Sequence, residues 1–209
     1  MNKVEIMNNT LKLMLTCIIV LISSTLVCAQ DYETLLQQRA KERVRLMNDY
    51  ISYMADKSSS EDNRYFYRKK ALPLFIGKGY EYKELGIIKN GVTMQTTSVN
   101  RNTIKTDLIR EYFSRLVELE YSNVNVTSTQ IADIKVSDLK KVDSSEGKTL
   151  YMCTCQYVQY FKGEYGDGRL YGDKTTKRIV CYIEVEDTED GQEYVVLLGD
   201  VEAIHTERL

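Results

Sequence analysis

At Val124 the spacing of the apolar residues changes, and this change restricts the fold more than any other feature of the chain. Before it, apolar residues recur every third or fourth position; after it, they alternate with polar ones. A period near 3.6 draws a stripe along a helix, and a period of two fills one face of a strand. A chain that places helices first and strands last does not read as repeating strand–helix–strand units. It predicts helices laid against one face of a curved, mainly antiparallel sheet, an α+β domain.

The helical part opens with Tyr32 to Ala55, where Leu36, Ala40, Val44, Met47, Ile51 and Met54 form a single stripe. Ser58-Ser59-Ser60 interrupts it and supplies an N-cap, and Glu61 and Asp62 follow in the first turn of a second helix, where acidic groups suit the helix dipole. That helix passes Tyr65, Phe66 and Leu72, and Pro73 ends it. Four glycines, Gly77, Gly79, Gly86 and Gly91, mark a loop-rich passage with room for one short strand. Thr93 to Val99 reads as a strand. A third helix is expected from Thr103 or Thr106 to Glu120, with Ile104, Leu108, Tyr112 and Leu116 on one face.

Beyond Val124 come Val126, Ile134 and Val136, then a turn over Asp143 to Gly147. Two long strands follow. Tyr151, Cys153, Cys155, Tyr157 and Phe161 share one side of the first, and Ile179, Cys181, Ile183 and Val185 share one side of the second, with a glycine-rich tip from Gly163 to Gly172 between them. Asp190-Gly191 turns the chain into a last strand, Tyr194 to Ile204. The expected result is a C-terminal meander of about four long antiparallel strands.

Leu13 to Val27 form an apolar run of 15 residues, with Lys3 and Lys12 before it and Val27-Cys28-Ala29 at its end. A membrane-spanning helix needs roughly 20 apolar residues, so the run reads as a secretory signal peptide over residues 1–29, leaving 30–209 as one α+β domain. The expected location is the periplasm or outside the cell, with no stable membrane span after cleavage. Lipid anchoring at Cys28 is the disfavoured alternative, because Thr25 and Val27 stand where such signals want Leu and a small residue. Cleavage removes Cys17 and Cys28 and shifts the formal charge from −2 to −3, which gives no footprint for nucleic acid.

Cys153, Cys155 and Cys181 remain. A cross-strand disulfide between Cys155 and Cys181 is open if their strands pair, and small buried hydrophobes are the plainer reading. With neither a C-x-x-C pair nor clustered histidines, no metal site and no cofactor is expected. The basic and aromatic segment Arg64 to Lys70 fits an amphipathic helix, the acids from Glu184 to Glu193 fit a solvated turn, and Gly166 to Gly172 lacks the residues of a phosphate or calcium loop. The single histidine, His205, lies beside the last strand and reads as a surface residue.

Two or three helices, a strand, another helix and a meander, over roughly residues 31–204, resemble the nuclear-transport-factor-two-like superfamily, which includes ketosteroid-isomerase-like and polyketide-cyclase-like (SnoaL-like) proteins, here as an exported bacterial member. That resemblance implies a cone-shaped fold, often dimeric through the sheet, that binds or catalyses inside the cone. It makes Tyr50, Tyr53, Tyr112 and Tyr157 candidates to line a ligand pocket, with Asp107 or Asp133 as a carboxylate. No family motif assigns a catalytic residue. The leading expectation is a non-enzymatic domain that binds a small apolar ligand or an envelope protein, with a homodimer open to it. The alternatives are a cone-pocket enzyme of isomerase or hydrolase type and a structural component of an envelope assembly. A cavity holding a buried carboxylate hydrogen-bonded to a tyrosine would favour the enzyme, and a filled cone would remove it.

Overall fold

The computed structural model describes residues 32–84, 86–145 and 147–209. The expected signal segment 1–29, with Cys17 and Cys28, lies outside them. A helix, α1, covers residues 32–55. The chain divides inside this helix into two compact units, Met1–Gln38 and Arg39–Leu209. Of the first unit, residues 32–38 are described, and all are helical. The other helices, the sheet and the site belong to the second.

In the second unit α1 buries Ala40, Val44, Met47, Ile51 and Met54, the stripe drawn by the sequence. The next helix, α2 (Glu61–Ala71), starts where Ser60 Oγ accepts a hydrogen bond from the Asn63 N–H at 3.3 Å. It ends before Pro73, which stands in a short 3-10 turn, Leu72–Leu74. The glycine-rich passage holds two short strands where one was expected. These are β1 (Tyr82–Glu84) and β2 (Ile87–Lys89), an antiparallel hairpin.

The third helix is shorter than its spacing predicts. Residues Arg101–Leu108 form a strand, β4, paired antiparallel with β3 (Thr93–Ser98), and α3 runs only over Ile109–Val117. Thr103, Ile104 and Thr106 are β-branched and suit a strand. Ile104, part of the helical stripe in the sequence pattern, is 56% exposed. Helix α3 begins at the point where the Ile109 N–H donates to the Val92 carbonyl at 2.8 Å. Its buried face is Ile109, Phe113, Leu116 and Val117.

The alternating half forms β5 (Asn123–Ser128), β6 (Lys135–Val136), β7 (Lys140–Ser145), β8 (Lys148–Glu164), β9 (Leu170–Thr188) and β10 (Gly191–Arg208). Asp143, expected in a turn, lies within β7 opposite Leu150. The hairpin tip is narrower than the glycines suggest, because β8 and β9 pair all the way from Lys148↔Glu186 to Glu164↔Leu170. Among the described residues the sheet has eight strands in the order β4-β3-β10-β9-β8-β5, with β6 and β7 also on β8. Among these strands every pairing is antiparallel except β3 with β10. Register shifts between Leu198 and Val201 and between Ala203 and His205 interrupt the β9–β10 ladder, the kind of irregularity that bends a sheet. The fold is α+β, with helices against a curved and mostly antiparallel sheet.

The parallel contact of β3 with β10 has a single register pair, Met94 with Val201. Side chains make up for the sparse ladder. Asp200 accepts from the Thr93 N–H at 2.7 Å, Gln95 Oε1 accepts from the Ala203 N–H at 3.2 Å, and the Thr97 and Thr206 hydroxyls bond to each other. Thr206 also meets Thr175 of β9 at 2.9 Å. Backbone groups that lack a ladder partner must find one elsewhere, and here polar side chains of the neighbouring strand provide it.

Candidate active site

Alternate residues of β9 point inward along its whole central length: Asp173, Thr175, Lys177, Ile179, Cys181, Ile183 and Val185 are all buried. The last four were expected there. The first three are polar, and they border a cavity of about 500 Å³ whose lining also includes Thr96 and Thr97 of β3, Tyr112 and Arg115 of α3, and Gln159 of β8. Its aromatic part is Tyr112, Tyr121, Phe161, Tyr165 and Tyr171.

Asp173 is 7% exposed and accepts a short hydrogen bond from the Tyr171 hydroxyl. Ser98 Oγ lies 2.8 Å from the same hydroxyl oxygen, so it can donate to Tyr171 while Tyr171 donates to Asp173. Burial pushes the Asp173 carboxyl above its ordinary value, against the opposing pull of the Tyr171 hydrogen bond and the Lys177 charge. Burial also raises the Tyr171 phenol.

Lys177 is 3% exposed. Its ammonium meets Met94 Sδ at 3.4 Å and lies 5.7 Å from the Tyr112 ring centre. A thioether is a weak acceptor, and a ring face is a poor replacement for water. Desolvation therefore lowers the amine to about 8, with Asp173 pulling the other way. A buried lysine with such contacts is poised to give its hydrogen bonds to an oxygen entering the cavity.

The rest of the site is held firmly. Gln159 donates to Asn48 Oδ1 at 3.2 Å, and Asn48 donates to the Val44 carbonyl at 3.0 Å, so a buried amide chain links β8 to α1. The Tyr165 hydroxyl donates to the Tyr121 hydroxyl at 3.1 Å, and their rings stand 4.4 Å apart. Gly163 makes room for this wall: a Cβ there would lie 2.6 Å from the Tyr121 ring.

The four tyrosines expected around a pocket are dispersed. Tyr112 lines the cavity. Tyr157 is buried on β8 and is not part of the lining. Tyr50 and Tyr53 meet Tyr67 of α2 at 6.0 and 4.6 Å, and Tyr53 is 46% exposed. Of the two expected carboxylates, Asp107 is bound by Arg115, with one contact at 2.7 Å, and Asp133 is exposed in a 3-10 turn. Cys155 and Cys181 are buried thiols whose sulfurs are 3.7 Å apart. His205 is exposed on β10. Among the described residues no helix is long and apolar enough to cross a membrane.

Sequence reasoning missed Asp173, Tyr171 and Lys177, although their signal was present. Extending the alternation of Ile179, Cys181, Ile183 and Val185 six residues back places Lys177, Thr175 and Asp173 on the inner face. An inward-facing charge is costly, and that cost is what should have drawn attention.

No family model matches the chain, and no curated protein matches it. Among solved structures it is similar to a protein provisionally named a scytalone dehydratase from Novosphingobium aromaticivorans, at 14% identity over 86% of this chain and 91% of that one, with a TM-score of 0.37. It is also similar to a protein provisionally named a dehydratase of the NTF2-like family from Streptomyces avermitilis, at 14% identity over 78% of this chain and 95% of that one, with a TM-score of 0.32. Likeness at this level fixes no reaction for the present chain.

Proposed function

We propose that the cavity is a small-molecule active site for proton transfer beside a carbonyl, the isomerase type of reaction. The observation that supports this most is the buried Asp173 carboxylate bonded to Tyr171 in a cavity of about 500 Å³. Asp173 acts as the base, its raised value bringing it closer to neutrality. Lys177 donates to the carbonyl oxygen and stabilises the negative charge that grows there when the neighbouring carbon loses its proton. Asp173 and Lys177 stand four positions apart on β9, about 13 Å between their Cα atoms, and both line the cavity. A small ketone held at Lys177 can place an adjacent C–H bond toward Asp173. The aromatic wall suits its hydrocarbon part.

The test uses small cyclic β,γ-unsaturated ketones, whose isomerisation to the conjugated ketone is followed by ultraviolet absorbance. The wild-type protein accelerates the conversion, and Asp173→Asn lowers kcat by about 10² to 10⁴. Lys177→Met weakens both binding and rate. Displacement of an apolar fluorescent dye by the same ketones, with no conversion, would replace this reading with that of a binding protein.

We also infer export, supported by the Leu13–Val27 run. A mature protein that begins at Gln30 is the expected mass-spectrometric result, and an acylated Cys28 would instead make it a lipoprotein. A homodimer formed through the sheet is a separate proposal, read by sedimentation.

A further inference from the structure

Three thiols meet where β8 and β9 pair. Cys153 stands directly opposite Cys181, and Cys155 stands opposite Ile179, so all three side chains share the inner face. Their sulfur atoms lie within 4.8 Å of one another, with Cys155 and Cys181 at 3.7 Å. All three are buried, at 3% exposure or less. The two strands pair over seventeen positions without a register shift, which fixes the Cβ positions and makes the cluster rigid before anything binds.

We propose that Cys153, Cys155 and Cys181 form a three-thiolate site for a soft monovalent ion, Cu(I). An ion about 2.3 Å from each of three sulfurs in one plane sets them about 4 Å apart, by the trigonal geometry of metal–sulfur bonds of that length. The 3.7 Å between Cys155 and Cys181 and the 4.8 Å bound on the whole group are compatible with that value, so the site closes by small side-chain rotations. Thiolates select soft ions such as Cu(I) and zinc. Structural zinc takes four ligands, and among the described residues no histidine, carboxylate or further thiol joins this group. Three sulfurs satisfy Cu(I). Each thiol that binds as thiolate releases its proton to solvent, and no electron is transferred. This site is separate from the Asp173 cavity and does not depend on the reaction proposed there.

The test titrates the full chain, reduced and under argon, with Cu(I) in competition with bicinchoninate. The expected result is one ion held per chain beyond what Cys153→Ala/Cys155→Ala/Cys181→Ala retains. That variant keeps Cys17 and Cys28 and so corrects for them. Cys153→Ala alone lowers affinity by more than the roughly 100-fold that losing an outer partner of a metal site costs. X-ray absorption of the wild-type complex needs no variant and should count three sulfur neighbours. Uptake equal to that of the triple variant, two sulfur neighbours, or a Cys155–Cys181 disulfide in the freshly isolated protein would each overturn the proposal.

Discussion

Strand β9 has two halves that face the same way and do opposite things. From Asp173 to Lys177 its inner residues are charged or hydroxylic and border a cavity; from Ile179 to Val185 they are apolar or thiol and are packed solid. The backbone is continuous across the division, and so is the alternation. The difference teaches that period alone reports which side chains go inside, and not whether the inside is core or site. Polar residues on the inner face are the mark of the second.

The largest effect should come from moving the site's chemistry two residues along. Ile179 is fully buried opposite Cys155. Ile179→Lys places an ammonium where it has no oxygen to meet, and a loss above about 4 kcal/mol, with collapse of the cooperative urea transition, is expected. If Ile179→Lys is tolerated, the two halves are not energetically distinct.

The reverse change should stabilise. Burial lowers Lys177 from 10.5 to about 8, which corresponds to about 3 kcal/mol at 1.36 kcal/mol per unit. The fold prefers the neutral amine, so the cost is complete below pH 8, shrinks as pH rises from 8 to 10.5, and is gone above that. Lys177→Met therefore gains stability at pH 7, and its advantage over the wild type fades by pH 10.5, as paired urea titrations would show. The same variant should bind ketones more weakly and slow the proposed isomerisation. Stability gained with function lost is the signature of a residue kept for chemistry.

Gly163→Ala tests the aromatic wall. The new methyl would press on Tyr121, whose ring is already backed by Tyr165, and a loss of about 1–3 kcal/mol is expected together with weaker dye binding. The smallest effect belongs to the rim. Arg115 is 41% exposed and pairs with Asp107, so Arg115→Ala should cost no more than about 1 kcal/mol. The Arg115 hydrogen bond holds Asp107 below its ordinary value, so that contribution is present at neutral pH and is lost as pH falls through the depressed value. Thermal melts at pH 7 and at acid pH would measure it.

The change of period at Val124 made the α+β class legible, because only one layering satisfies helices followed by a meander. The stripe on α1 and the Ser60 cap were equally local signals. Strand β4 was misread because Ile104 and Leu108, four apart, imitate a helical stripe, while its pairing with β3 is a tertiary fact. The site was hidden for a related reason. Asp173, Tyr171 and Lys177 match no motif, and their meaning comes from the cavity that β3, β8 and α3 close around them. The meeting of three thiols was half legible: the sequence put Cys153 and Cys155 on one face, and only the register brought Cys181 to them.

The side-chain stitching of β3 to β10 bears on when the site comes into existence. Thr93, Gln95 and Thr97 find their partners more than a hundred residues later, on the strand that comes last in sequence. Contacts of such range close slowly, after the local hairpins have formed. The β8–β9 ladder, with its thiols, can assemble while β3 is still adrift, but the cavity cannot. A chain emerging in order from a ribosome therefore leaves the walls of the Asp173 cavity apart until the final strand is set between β3 and β9.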